Sequence, residues 1–230
     1  MWRRVFDMVV VPLLFLAVAA AVLVTTIRYC AERPPILEES VVSVECKEFH
    51  MSQYDEIFQQ IGGQYGIDWL LLAAIARAES EFKFDAVSRA GAVGLMQVMP
   101  PVAKSMGYNR EQLFDAEVSV EIAAKLLIEN ERMLHLHSDM ATTEQWKFIL
   151  ACYNAGYSRI ADARRLARYH DDDANRWSIV ATYLALLAEP EFAEHEVVQS
   201  GAFFGSDETI AYVNKVIHIY NLYKNSVLMQ

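Results

Sequence analysis

The sequence predicts a mainly α protein, one helical domain behind a single N-terminal membrane-spanning helix. Three observations carry this: an uncharged run of 20 residues near the N-terminus, apolar residues recurring at helical spacing beyond it, and no stretch of strand alternation with hairpin turns. Of the 230 residues, 54% are hydrophobic and 22% charged, with nine Gly and six Pro. That supplies a core of ordinary domain size and lacks the polar bias of a disordered chain.

The first element is residues 8–27, MVVVPLLFLAVAAAVLVTTI. At 1.5 Å rise per residue it matches the roughly 30 Å hydrocarbon core of a bilayer. Pro12 falls in its first turns, where a missing backbone N–H does least damage. Arg3 and Arg4 favour a cytoplasmic N-terminus, with Arg28 and Arg33 weakening the asymmetry. An uncleaved anchor is favoured over a signal peptide, whose apolar stretch is usually about 7 to 15 residues. Lipidation at Cys30 is disfavoured because Arg28 and Tyr29 stand where small side chains are needed. Residues 1–30 are thus expected to form a cytoplasmic tip and transmembrane anchor. Residues 31–50, with Pro34 and Pro35, form a stalk, and residues 51–226 the folded domain.

The net charge is -10, and the first 33 residues carry +2, leaving -12 on the part expected to be exported. Such a balance argues against nucleic-acid binding, which draws its affinity from Lys and Arg on phosphates. Cys30, Cys46 and Cys152 make no disulfide framework and fit no zinc-ligand spacing. A Cys30 to Cys46 bridge is left open, and Cys152, in an apolar run, reads as a small buried hydrophobe.

Within the domain, a helix is expected over residues 52–65, interrupted or ended by Gly62, Gly63 and Gly66. The next covers 69–80, with Asp68 as its N-cap. A long helix spans 117–135. Thr142 with Gln145 three residues on resembles a capping box for a helix stopped by Gly156. Two more are expected over 158–170 and 175–188, and a last one beginning after Ser206 and running to about Tyr223.

The chemistry starts from Glu79. Its helical neighbours three, four and seven residues back are Ala76, Ile75 and Leu72, so its carboxyl lies on an apolar face near a helix end. Partial desolvation disfavours the charged form and lets such a group hold a proton near neutrality, as a general acid must. A Glu pointing to solvent at a helix end is the bland alternative. Downstream, Gly91 and Gly94 suit a tight loop able to wall a cleft, although Leu95, Met96 and Met99 taken alone read as core.

Taken together, ARAESEFKFDAVSRAGAVGLMQVMP (76–100) resembles the signature of the lytic transglycosylases of the soluble-transglycosylase (SLT) type, in the lysozyme-like superfamily. Two later blocks agree in order and spacing: Ala151-Cys152-Tyr153-Asn154-Ala155-Gly156 and Glu208-Thr209-Ile210-Ala211-Tyr212-Val213. The resemblance covers roughly residues 52–223 and is closest to the catalytic module of the membrane-bound F-type enzymes, without their separate binding-protein-like domain. It implies a lysozyme-like, goose-type helical fold. It also implies a single catalytic Glu79 that protonates the glycosidic oxygen between MurNAc and GlcNAc in peptidoglycan. The same Glu79 then takes the proton of the C6 hydroxyl as 1,6-anhydroMurNAc forms. No cofactor or metal is implied.

By the same resemblance, Ser80, Met96, Gln97, Tyr153, Asn154, Glu208 and Tyr212 bind substrate. Tyr153 is expected to approach the acid, and Gln97 with Met96 to line the cleft. Ser80 and Asn154 either bind sugar or tie loops together. Glu208 and Tyr212 share a helix face expected to point at the cleft, with Glu208 as a first-turn acid favoured by the helix dipole the alternative. His135 and His137 diverge on their helix, and His170 before three Asp reads as a solvated turn. The expected setting is the bacterial cytoplasmic membrane, with the domain in the periplasm. A hydrolytic muramidase of the same fold and a non-catalytic glycan-binding scaffold remain the alternatives.

Overall fold

The computed structural model describes residues 51–136 and 139–229. The expected anchor, the stalk, Cys30, Cys46 and His137 lie outside the described residues. Among the described residues no helix is long and apolar enough to cross a membrane.

Helix α1 (Asp55–Tyr65) runs through Gly62 and Gly63 and ends at Gly66, whose φ of 69° serves as a left-handed cap. At Gly62 the returning chain passes too close for a side chain: a Cβ there would sit 2.6 Å from the Ile67 carbonyl oxygen. Asp68 caps α2 (Trp69–Ser80) as expected, accepting from the Leu70 N–H at 3.0 Å. Residues 70–76 of α2 are buried on every side, which places it at the centre of the domain.

Next come α3 (Pro100–Ser105) and a 3-10 turn (Glu111–Phe114), both too short to leave a periodic trace in the sequence. Helix α4 (Ala116–Leu134) is capped by Asp115, which accepts from the Val118 N–H at 3.1 Å. The expected capping box before α5 (Thr142–Ala155) does not form. Ala141 occupies the cap position without a side-chain bond, and the Gln145 amide donates forward of the helix to the Met140 carbonyl at 2.8 Å. Helix α6 (Tyr157–Tyr169) follows directly after Gly156, and α7 (Trp177–Leu186) and the single turn α8 (Pro190–Ala193) follow it. The last helix, α9 (Ser206–Leu228), packs along α2, α5 and α7 and extends a turn beyond the expected end. Between α2 and α3 the chain makes only the isolated bridges Val87 to Val93 and Val93 to Val98.

The connection entering α9 is held from α6. Asp162, fully buried, accepts from the N–H groups of Gln199 (2.8 Å) and Ser200 (2.9 Å) and from Arg165. Arg159 donates to the Ser200 and Gly201 carbonyls at 2.6 and 3.0 Å. Removing the buried carboxylate takes the acceptor from two backbone N–H groups and leaves the Arg165 guanidinium without its acid, so Asp162→Ala is expected to cost about 2 kcal/mol. Urea unfolding measures this, and a loss under about 1 kcal/mol would show that water replaces the carboxylate.

Candidate active site

Glu79 sits on the last turn of α2, above Ala76, Ile75 and Leu72, all fully buried. The chain then leaves α2 by an abrupt turn, with Glu81 at φ 53° and Phe82 at φ 64°. Two successive non-glycine residues in the left-handed region are costly, and they end the helix directly after Glu79 and Ser80. Burial pushes the Glu79 carboxyl from its ordinary 4.5 up to about 7. The Tyr212 hydroxyl and the Lys215 ammonium act against that rise, and the Glu208 carboxylate adds to it.

Glu208, Tyr212 and Lys215 lie at positions i, i+4 and i+7 of α9, one flank of one helix. Lys215 donates from Nζ to the Ala78 carbonyl at 2.7 Å, fastening α9 to the end of α2 next to the acid. Tyr212 is 8% exposed, and its hydroxyl is the one buried side-chain polar atom among the described residues with no partner in hydrogen-bonding geometry. It influences the Glu79 carboxyl without closing a full hydrogen bond to it, leaving a donor available at the acid.

Tyr153 approaches from α5, close enough that burial and Glu79 raise its phenol well above its ordinary value. Its hydroxyl, however, donates to the Met96 carbonyl at 2.7 Å. The tyrosine directed at the acid is therefore Tyr212, and Tyr153 braces the loop opposite. Met96 is completely buried and its N–H donates to Ser119 Oγ at 3.2 Å, so its side chain packs the core and is not available to a sugar. Ser80 likewise is 7% exposed. Its hydroxyl donates to the Leu95 carbonyl at 2.8 Å and accepts from the Lys83 N–H at 3.1 Å, so it ties the loop to α2.

Gln97, at φ 50°, turns its amide back to donate to the Ala86 and Gly94 carbonyls at 3.1 and 2.9 Å. Asn154 is exposed, and its Oδ1 accepts from the Thr209 hydroxyl at 2.8 Å, joining the end of α5 to the start of α9. Of the eight expected site residues, Glu79, Tyr153, Glu208 and Tyr212 gather around one carboxyl. Ser80, Met96, Gln97 and Asn154 hold the surrounding loops and helix ends in place. Lys215 escapes the sequence reading, although extending the Glu208 and Tyr212 face by one further turn reaches it. Cys152 is 3% exposed, and burial pushes its thiol up to about 12, as a core side chain.

Residues 56–176 match the family described as transglycosylase SLT domain. The membrane-bound lytic murein transglycosylase F of Marinobacter nauticus is 33% identical over 177 residues, covering 76% of this chain and 34% of its own. The protein of the same name from Idiomarina loihiensis is 32% identical over 182 residues, covering 79% of this chain and 38% of its own. The chain thus spans roughly a third of the length of these relatives. The 70 kDa soluble lytic transglycosylase of Escherichia coli aligns with 74% of this chain and 24% of its own, at 23% identity and a TM-score of 0.48.

Proposed function

Because the chain belongs to the transglycosylase SLT domain family, we propose that it is a membrane-anchored lytic transglycosylase that cleaves the β-1,4 bond between MurNAc and GlcNAc in peptidoglycan. The observation that carries this reading is the buried Glu79 carboxyl, still half protonated near pH 7. A protonated Glu79 gives its proton to the glycosidic oxygen as the C1–O bond breaks and positive charge develops on the sugar ring. The carboxylate left behind takes the proton of the C6 hydroxyl as that oxygen bonds to C1, which closes 1,6-anhydroMurNAc and restores the starting acid. Lys215 and Tyr212 supply positive charge and a hydroxyl donor for the carboxylate stage, and Glu208 favours return of the proton. Ordinary glycosidases divide these duties between two carboxyl groups. Here one group with a pKa near the working pH serves both directions.

The apolar run over residues 8–27 and the membrane-bound description of the relatives support an anchor in the cytoplasmic membrane, with the domain on its outer, periplasmic side. The deciding experiment incubates the full chain, in detergent, with isolated peptidoglycan and weighs the products. Anhydro ends are expected. Reducing MurNAc ends, heavier by one water per cut, would make the protein a hydrolytic muramidase, and no cutting would make it a glycan-binding scaffold.

Tyr212→Phe removes a buried hydroxyl that closes no full hydrogen bond, so stability should change by less than about 1 kcal/mol. The same hydroxyl lowers the proton affinity of Glu79, so its loss should move the alkaline limb of the pH–rate profile to higher pH. An unmoved limb in a fully folded variant would mean that Tyr212 does not act on the acid.

A further inference from the structure

Beside the end of α2 lies a cavity of about 540 Å³ lined by Met51, Arg77, Glu81, Phe82, Lys215 and Ile219. It borders the candidate active site, since Lys215 belongs to both. Two cations face this space, and each is held by neutral groups. Arg77 donates to the Tyr223 hydroxyl at 3.1 Å with its guanidinium 5.8 Å from the centre of the same ring. Lys215 donates to the Ala78 carbonyl. Among the described residues neither forms an ion pair. The one carboxylate in the lining, Glu81, faces Lys83 at 3.7 Å.

The cavity on the other flank of α9 shows the contrast. It is of similar size, about 620 Å³, and also holds two cations, Lys147 and Arg176. There each has its own acid, Glu144 at 2.7 Å and Asp173 at 3.7 Å. Lys215 is engaged by the carbonyl end of α2 and by the Glu79 carboxyl, whereas the hydrogen-bonding and ring partners of Arg77 are neutral. Arg77 is thus the cation of this lining that is open to an anionic ligand, in a chain of net charge -10.

We propose that this cavity receives a carboxylate carried on a side branch of the glycan, with Arg77 as its principal partner. A planar guanidinium forks onto a carboxylate with two parallel hydrogen bonds, and Phe82 and Ile219 offer apolar surface to the methyl or methylene beside it. The inference rests on the peptidoglycan reading for its ligand, in which each muramic residue bears either a free lactyl carboxylate or a peptide stem ending in carboxylates. It adds a determinant of which strands are taken, separate from the bond-breaking groups.

The test uses the full chain with Glu79→Gln, which holds strands without cutting them, and three glycan preparations of equal length. One bears intact stems, one has its stems removed by amidase to leave lactyl carboxylates, and one has its stem carboxylates converted to neutral amides. A stem carboxylate as ligand predicts that the first binds about tenfold more tightly than the other two, and a lactyl carboxylate predicts that advantage for the second. In either case adding Arg77→Gln should abolish the advantage and leave binding of the amidated strands unchanged. Tyr223→Phe, which removes only the anchoring hydroxyl, should keep it. Equal binding of all three preparations, or discrimination that survives Arg77→Gln, overturns the proposal. The enzymatic reading is tested separately by wild-type cutting. Cutting without discrimination removes the cavity's role alone, and discrimination without cutting removes the enzyme alone.

Discussion

Glu79→Gln is expected to reduce glycan cleavage by at least about a thousandfold while leaving the fold intact, because the isosteric amide can neither give nor take the proton. The same variant carries a second signature in its stability. The folded protein binds the Glu79 proton more tightly than the unfolded chain, with a pKa of about 7 against an ordinary 4.5. A group raised in this way contributes its full stability below pH 4.5 and loses it as the pH climbs through 7. The total loss is about 3 kcal/mol if the whole difference is expressed. Glutamine has no proton to lose. Unfolding curves of variant and wild type should therefore keep a constant separation below pH 4.5, and the variant should gain about 3 kcal/mol relative to wild type by about pH 9. A separation that stays constant across the whole range would place the wild-type carboxyl in water and end the acid–base assignment.

Gly94→Ala should have the largest effect on folding. Gly94 has a φ of 83°, which costs an L side chain about 1 to 2 kcal/mol, and an added Cβ would stand 1.9 Å from the Leu113 carbonyl oxygen. Backbone cannot yield as a flexible side chain does, so the combined cost is expected to exceed about 4 kcal/mol, a large part of the stability of a typical domain. Gly91, at φ 90° but with open space around its Cβ direction, provides the control. Gly91→Ala should lose only the conformational part and unfold cooperatively, whereas Gly94→Ala should show a much weaker transition or none. Equal losses for the two variants would mean that the 3-10 turn carrying Leu113 moves aside freely.

The helical scaffold is largely legible in the sequence because its signals are local. Asp68 announces α2, Gly156 stops α5, and the apolar spacing of α4 and α9 follows directly from the need to bury one face. The failures have physical causes too. Thr142 and Gln145 have the composition of a capping box, but the helix begins at Thr142 itself, and the Gln145 N–H that its hydroxyl would cap already donates to the Ala141 carbonyl at 3.1 Å. The short helices α3 and α8, of six and four residues, are too brief to show a periodicity of their own. For the site, the apolar face beneath Glu79 can be read from Leu72, Ile75 and Ala76. Which tyrosine addresses the acid cannot. Tyr153 and Tyr212 carry the same group, and only the crossing of α9 over α2, with Met96 claiming the Tyr153 proton, separates their roles. Gln97 reads as a sugar contact, and Ser80 as either a sugar contact or a tie between loops, because polar side chains suit both tasks, and the backbone carbonyls they donate to are invisible before the loop is folded.

The distance along the chain between Glu79 and the helix that governs it has a consequence for biosynthesis. Lys215 reaches a carbonyl 137 residues earlier, and Glu208 and Tyr212 belong to the same late helix. The groups of α9 that tune the carboxyl are therefore the last of the site to be synthesised, and a product clipped ahead of residue 206 lacks all three of them.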